Sequence, residues 1–376
     1  MKSIILLLVA AFSTAASAET FKASAYNLGL AQGFVAYAEE RLKPLQQELK
    51  NGDADLYCLS EVWAKKDRDF LVTSLKKDFP FAHFEEIEQT FSRNRPSCKI
   101  TDLFGKGKFA SCVLKECKDL DDSEFTQCVT KSCGPALRAL QGDKRQCAQA
   151  LMAQVGNSTV RSLIRVLNPL KRAGLFAYGG GNGLLLLSKK PMTEKGLVDL
   201  TAISTLNRRG ALKAVVAEKQ VYCAHLSANL DETAPYTGVF ENWEEENFQQ
   251  TKRLLDEAEK STKPTLMMGD FNCSFDLPSE GIQGDFEKSC LLFRERGFDQ
   301  FYLDQSPQCT FCSSNSLIAE NPNEGGDFLI DHIFTRGVSD SVIKRVFDQK
   351  RTIKLNNGQP KETHLSDHYG LMIEIE

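Results

Sequence analysis

Short apolar runs in this chain end, repeatedly, on an acid, an amide or an imidazole. FKASAYN closes on Asn27, DLYCLSEVW carries Glu61, VYCAHL contains His225, and LMMGDFN presents Asp270 and Asn272. FLIDHIF carries Asp331, and SDHYGLMIEIE opens on Ser366, Asp367 and His368. Apolar runs of this length bounded by turn residues read as buried strands. Gly, Asp and Asn also end strands for conformational reasons alone, which accounts for any one of these sites but strains to cover all six. In open α/β architectures such strand edges gather into a common crevice. The chain is therefore expected to collect its functional groups from segments far apart in sequence.

Between the strands the periodicity changes. Residues 35–50 carry apolar and charged residues at helical spacing and stop at Asn51-Gly52. Residues 65–77 read as a second helix and FAHFEEIE alternates as a strand. Residues 92–175 break this rhythm with six clustered cysteines and then VRSLIRVLNPLKR, whose Val160, Leu163, Ile164 and Leu167 make an amphipathic stripe. The rhythm resumes with LLLLSKKP, a strand pair turning near Glu218-Lys219, a helix over 243–260, the strand PTLMMGDFN and a helix over 286–296. YGGGNG and NPNEGG read as mobile loops. The expected organisation is one catalytic domain over residues 19–376, interrupted by a cysteine-rich helical insert over 92–175.

The first eighteen residues, MKSIILLLVAAFSTAASA, have a charged start, a short apolar core and an Ala-x-Ala end. That pattern is a signal peptide and predicts a secreted or periplasmic protein of 358 residues without a transmembrane segment. All twelve cysteines follow the leader, and an even count in an exported chain predicts disulfides. In SCVLKECKDLDDSEFTQCVTKSC two C-x4-C units flank a charged centre, so two short helices folded back would bring Cys112 near Cys133 and Cys117 near Cys128. Zinc is the rival reading, but it favours C-x2-C pairs. The lone pair Cys309-x2-Cys312 is likewise assigned to disulfides. The net charge of −4 argues against coating nucleic acid by charge alone, while leaving room for a local grip on phosphate. Arg208-Arg209 reads as a solvated corner, and the helix over 160–167 packs on the core or lies on an anionic membrane.

Metal-assisted phosphodiester hydrolysis wants this set of groups. A hard cation takes oxygen ligands and keeps several waters, so Glu61, with Asn27 and Asp367, is expected to hold Mg²⁺ or another divalent ion such as Mn²⁺ or Ca²⁺. An imidazole poised by a carboxylate takes a proton from water, a role for His368 with Asp331 or Asp367. Asp270 and Asn272 would orient the nucleophile and hold a phosphate oxygen, and His225 would stabilise the charged transition state.

The set Asn27, Ser60-Glu61-Val62, His225-Leu226, Gly269-Asp270-Phe271-Asn272, Asp331-His332 and Ser366-Asp367-His368 resembles the endonuclease/exonuclease/phosphatase superfamily, the fold of pancreatic-type deoxyribonuclease and neutral sphingomyelinases. The resemblance covers residues 20–90 and 175–376 and leaves the insert outside. It implies an α/β fold, a four-layered α/β/β/α sandwich of two packed mixed sheets flanked by helices. It also implies a divalent metal on Glu61, His368 as general base and Asp331 as the residue orienting a catalytic histidine. His332 stands where relatives often carry Tyr or Phe and is assigned no catalytic role.

TFCSSNSLIAENPNEGGDFLIDHIF and LSDHYGL are similar to segments of sphingomyelinase-like members, whereas Cys273 is similar to a disulfide-bonded cysteine of the nuclease branch. The expected function is a monomeric phosphodiesterase acting on a phospholipid head group, with peripheral membrane contact. A secreted nuclease acting on DNA or RNA is the alternative. A non-catalytic module with the same fold is the third reading, and the intact Glu61 and His368 speak against it.

Overall fold

Strand β1 (Phe21–Asn27) is buried on both faces: Phe21, Ala23 and Ala25 enter one core while Tyr26 enters another. The same split recurs in β2 (Leu56–Ser60), where Leu56 and Cys58 oppose Tyr57 and Leu59. It recurs again in β7 (Lys219–His225) and β8 (Thr265–Asp270), where Val221, Cys223, Leu266 and Met268 share a core with β1, while Tyr222, Ala224 and Met267 face away. Alternate residues pointing to opposite faces therefore give near-continuous apolar runs, as strands covered on both sides require. Two sheets share the middle core and each has an outer core of its own.

The structure is a computed structural model and describes residues 20–86, 98–118, 120, 122–154, 159–167, 176–231, 235–319, 325–339 and 341–375. The expected leader, residues 1–18, lies outside the described residues. So do 92–97 and 168–175 at the edges of the expected insert, and 321–324 of the NPNEGG loop.

One sheet adds β3 (Phe81–His83), β4 (Leu185–Ser188), β10 (Val342–Val346) and β13 (Gly370–Ile375) in the order β10-β13-β1-β2-β4-β3. The other adds β5 (Met192–Asp199), β6 (Gly210–Val216) and β9 (Asp331–Arg336) in the order β5-β6-β7-β8-β9. Both are mixed, with β1–β2 and β7–β8 parallel and their outer neighbours antiparallel. Strands β11 (Arg351–Lys354) and β12 (Pro360–Thr363) form a separate pair. Helices Ala38–Asn51 and Lys65–Leu75 cover the first sheet through Leu45, Leu49, Leu71 and Leu75. Helices Trp243–Ala258 and Glu287–Glu295 cover the second through Leu254, Leu255 and Phe293. The result is a four-layered α/β/β/α sandwich, and the Cys58–Cys223 disulfide ties β2 to β7 through its middle.

The region around the clustered cysteines is helical, with helices Ile100–Leu103, Phe109–Glu116, Asp122–Arg138, Arg145–Met152 and Thr159–Leu167. Leu103, Leu140, Ala148 and Val166 join the outer core of the second sheet. Cys112 pairs with Cys133 and Cys117 with Cys128, as the mirror symmetry implied, and Cys98 pairs with Cys147. Cys273–Cys290 and Cys309–Cys312 complete the pairing, so no thiol is left for zinc. No helix among the described residues is long and apolar enough to cross a membrane.

Several local expectations shift. The hairpin between β6 and β7 turns on Ala217 and Glu218, at φ 46° and 63°, one residue earlier than the sequence suggested. Two successive positive φ values match the twist of the flanking strands. Of the described part of FAHFEEIE, residues 81–86, three form β3. Strands β5, β10, β11 and β12 were not anticipated. They are edge or isolated strands that leave side chains in water, so their alternation is weak.

Candidate active site

Strand register brings the second sheet's functional groups side by side. His225 is the partner of Asp270 across β7–β8, and Asp270 is the partner of Asp331 across β8–β9. Because β9 runs antiparallel, its first residue lies at the edge where β8 ends. In the first sheet Asn27 pairs in register with Ser60, which places Glu61 one residue beyond, and His368 precedes β13. The two sheets face each other at this edge and their side chains meet.

Asn27 Nδ2 donates to Asp270 Oδ2 at 2.9 Å and lies 3.3 Å from His368 Nε2. His368 Nδ1 is 2.8 Å from Asp331 Oδ2. The partner of His368 is thus Asp331 rather than Asp367, resolving the choice left open by the sequence. His225 Nε2 sits 3.4 Å from the same Asp270 Oδ2. The backbone N–H of Asn272 donates to Asp270 Oδ1 at 3.0 Å, and its Nδ2 donates to Leu226 O at 3.0 Å, so Asn272 braces the ends of β7 and β8. Asn272 and Glu61 both adopt left-handed backbone, at φ 50° and 59°. Such conformations cost about 1–3 kcal/mol and cluster where geometry serves a site.

Asp367 lies with Glu61 beside this group. Gly29 is required here: a Cβ on it would stand 2.2 Å from Asp367 Oδ1, and its N–H donates to Asn27 Oδ1 at 2.9 Å. Arg41, fully buried, fastens the surrounding loops by donating to the carbonyls of Leu28, Gly29, Ala36 and Leu365. Ser366 Oγ donates to Asn27 O at 2.7 Å, closing the seam between the β1 and β13 loops.

The electrostatics are those of an acid cluster short of positive charge. Burial and then the Asp367 carboxylate push the Glu61 carboxyl upward, partly offset by His368, Arg209 and a hydrogen bond from Asn27. Asp270 is pushed up to about 7, by burial first and Asp331 second. Burial lowers the His225 imidazole well below its ordinary value, with the Arg209 and His368 charges acting the same way. His225 is therefore neutral near pH 7. His368 moves the other way: burial opposes its charge, but Asp331, Asp367 and Asp270 together hold it well above the ordinary histidine value.

Glu61 and Asp367 offer carboxylate oxygens, the donor set of a hard cation, and a cation there would relieve the raised Glu61, whereas Asn27 turns its Nδ2 to the cluster and its Oδ1 accepts from Gly29 N–H. The residues present fit a divalent ion. Asp270, Asp331 and His368 also hold ligand atoms within 4.8 Å of one another, but they are tied to each other and to Asn27 by the hydrogen bonds above. Cys273, Cys290 and His332 form a second such group, in which both sulfurs are committed to a disulfide. His332 is enclosed by Phe271, Phe275 and Phe334 and bonds to Cys273 O at 2.8 Å, consistent with the absence of a catalytic assignment.

Arg208 and Arg209 overturn the reading of a solvated corner: both are buried. Arg208 is held by Glu85, with Nη1 at 2.7 Å from Oε2, and Asn182 donates to the same Glu85 oxygen at 2.9 Å. Asn182 is thus committed to holding the loop, its Oδ1 accepting from Leu184 N–H. Arg209 stands immediately before β6, whose Gly210 is the register partner of His225. Its guanidinium packs 5.8 Å from the Trp63 ring, which stacks on Tyr178 and neighbours His225. Arg209 Nε and Nη1, Trp63 Nε1, Tyr178 Oη and His225 Nδ1 are all buried without a hydrogen-bond partner. An unsatisfied buried polar group costs about 1–3 kcal/mol, so this many on one wall indicates a place made to receive an anion. The sequence signal was present, since Arg209 also sits where a strand meets a loop. Local period does not reveal it, because the start of β6 reaches this edge only through its antiparallel pairing with β7.

The fold and the crevice define a class: a four-layered α/β sandwich with acids, amides and imidazoles collected at one edge of its paired sheets. The chain belongs to the Endonuclease/Exonuclease/phosphatase family, whose model matches residues 25–368. Similar solved structures include SmcL, at 10% identity and TM-score 0.54, covering 95% of this chain and 99% of that one. Sphingomyelinase C from Streptomyces griseocarneus is similar at 13% identity and TM-score 0.53, covering 95% and 100%. A beta toxin variant from Staphylococcus aureus with bound magnesium ions is similar at 12% identity and TM-score 0.54, covering 95% and 100%. At these identities the likeness shows the fold. A search of the curated proteins returned no match.

Proposed function

We propose that this protein is an exported, divalent-metal-dependent phosphodiesterase in which His368 draws a proton from the attacking water. The observation that carries the reading is the buried Asp331–His368 pair, near enough to Asp367 and Glu61 for their charges to act on one another, with the unpartnered donors around Arg209 beside the same acids. A divalent cation, when bound by Glu61 and Asp367, supplies positive charge against a phosphate oxygen and the leaving oxygen. Asp331 holds the His368 ring by its Nδ1, which leaves Nε2 to take the water's proton. Asp270, between the two imidazoles, accepts from the nucleophile and aligns it. Arg209, Trp63 and Tyr178 donate hydrogen bonds to the phosphate as charge builds on it, and His225 links this wall to Asp270. Asp331, Asp367 and Asp270 hold the His368 imidazole well above its ordinary value, and positive charge at Glu61 would act in the opposite direction.

The preferred substrate is a phospholipid head group, supported by the overall likeness to a sphingomyelinase C and by the sphingomyelinase-like endings noted in the sequence. The Cys273–Cys290 disulfide beside the Asp270–Asn272 turn favours a nuclease as the second reading. Export is supported by the complete pairing of the cysteines. Incubating the purified protein with sphingomyelin vesicles and, separately, with plasmid DNA and RNA in Mg²⁺, each with an EDTA control, decides between them. Release of phosphocholine sensitive to EDTA supports the first reading, and nicking or digestion supports the second. EDTA-insensitive turnover overturns the metal assignment, and no turnover of any substrate leaves the non-catalytic reading in its place.

A further inference from the structure

Thr310 and Phe311 are the two residues between Cys309 and Cys312, whose sulfurs are bonded to each other. This dipeptide lies between the approaches to β9 and β13, the strands that deliver Asp331 and His368. The N–H groups of Thr310 and Phe311 lie 2.9 and 3.0 Å from Phe328 O, and Phe311 O accepts from Phe328 N at 2.8 Å. Thr310 Oγ1 accepts from the N–H of Ile330 at 3.2 Å and of Asp331 at 3.1 Å. Thr310 O accepts from Tyr369 N at 2.8 Å, and Phe311 forms a bridge with His368. The Phe311 ring meets the His368 ring at 5.2 Å, edge to face. One disulfide-closed loop thus contacts both members of the base pair.

A disulfide removes conformational freedom from the segment it closes. This one is also placed for exchange. Cys309 is only half-buried, whereas Cys58, Cys223, Cys273 and Cys290 are fully buried. Arg345 donates to Cys309 O at 3.1 Å and lies 3.8 Å from Cys312 Sγ. A neighbouring guanidinium favours the thiolate form and so makes Cys312 the better leaving group.

We propose that Thr310 and Phe311 are positioning residues for the Asp331–His368 pair, and that the Cys309–Cys312 bond holds them there, so that activity follows the redox state of this disulfide. In the reducing direction a thiolate of a dithiol reductant attacks Cys309 Sγ, the Cys309–Cys312 bond breaks, and Cys312 leaves as a thiolate that takes up a proton. The second thiol of the reductant then resolves the mixed disulfide. Two cysteine thiols and one oxidised dithiol result, and an oxidising dithiol couple reverses the step. The kinetic consequence rests on the hydrolytic reading above, whereas the structural consequence does not.

The test uses the full mature chain as wild type, C309S/C312S, Thr310→Val and Thr310→Ser, with C112S/C133S as a control for reduction in the helical region. Amide hydrogen exchange is read at Ile330, Asp331 and Tyr369, and hydrolysis is read on bis(p-nitrophenyl) phosphate with Mg²⁺. Opening the bond with dithiothreitol, verified by thiol alkylation and mass analysis, is expected to speed exchange at the three amides by about tenfold. It is expected to lower kcat by about tenfold with KM unchanged to within about twofold. C309S/C312S should show both effects before any reductant is added and none after, while C112S/C133S should respond as the wild type does.

Thr310→Val should loosen Ile330 and Asp331 with the disulfide intact, and Thr310→Ser should restore them. This pair keeps the proposal decidable if C309S/C312S does not fold. Unchanged exchange in either C309S/C312S or Thr310→Val overturns the proposal, as does a reductant effect that persists in C309S/C312S. Faster exchange without any measurable hydrolysis upholds the positioning by this loop and overturns the phosphodiesterase reading instead.

Discussion

Asp331 and His368 are 37 residues apart in the chain, yet Asp331 Oδ2 lies 2.8 Å from His368 Nδ1 in a buried contact. Register explains the meeting: Asp331 opens β9 and His368 precedes β13, and these strands belong to different sheets that face each other at this edge. A carboxylate on Nδ1 holds the ring's orientation and leaves Nε2 directed at Asn27 and Asp270.

Replacing His368 by Ala is expected to lower kcat by about 10²–10⁴ while leaving the protein folded. Asp331→Asn should give a smaller loss, because the base remains but its orientation is weakened. Initial rates on the identified substrate, with circular dichroism melts as the folding control, check both. Wild-type turnover by His368→Ala would remove the general-base assignment.

Glu61→Gln is expected to raise the Mg²⁺ concentration needed for half-maximal activity by at least the roughly tenfold seen when even an outer-sphere partner is lost. In EDTA the same variant should melt higher than the wild type. Burial and Asp367 disfavour the charged carboxylate at this position, and an amide removes that charge. Calorimetric titration with Mg²⁺ and thermal melts in EDTA read the two effects separately; an unchanged ion requirement counts against ligation.

Arg209→Met should lower kcat/KM by about 10²–10³, the range for loss of a preorganised donor to transition-state charge. Thermal melts are the folding control, since the substitution removes unpartnered buried donors but also a positive charge from beside Asp270 and Glu61. A variant that is both active and unstable would make Arg209 a structural residue. Arg209→Lys should recover only part of the activity, because a single ammonium does not reproduce the planar fork.

Stability should fall as pH is lowered from 6.5 towards 4. Burial lowers the His332 imidazole from 6.5 to about 4 in the folded protein, so unfolding takes up a proton in that interval. The stabilisation is complete above the unfolded value and is lost on approaching the folded one. Fully expressed, the difference amounts to roughly 3 kcal/mol. Urea melts across this range should show the slope, and His332→Phe should flatten it. An equally steep slope in His332→Phe would assign the effect to the other buried histidines of lowered basicity, His225 and His364.

How much of the site was legible follows from strand geometry. Asn27, Glu61, His225, Asp270, Asn272, Asp331, Asp367 and His368 were readable because each adjoins an apolar run whose length and boundaries mark a buried strand. Trp63, Tyr178 and Arg41 were not, and Arg209 carried the same strand-edge signal with no local sign of its burial. Trp63 and Tyr178 face each other from different loops, and only the packed structure shows that their polar atoms lack partners. Arg41 lies on a helix, with nothing in its spacing to show that its guanidinium would fasten four carbonyls.

The order of apolar runs and helical stripes, with their polar endings, determined the layered α/β architecture and the chemical types at its edge. Local period and turn chemistry are properties of neighbouring residues and survive in one dimension. Strand endings alone left Asp331 and Asp367 both open as the partner of His368, and beyond the family resemblance that choice was decided only in three dimensions. So were the burial of Arg209 and the contact of the Cys309–Cys312 loop with the base pair. Each depends on which strands are antiparallel and how two sheets face one another, and those pairings are set by the burial of the whole core rather than by any local stretch of chain.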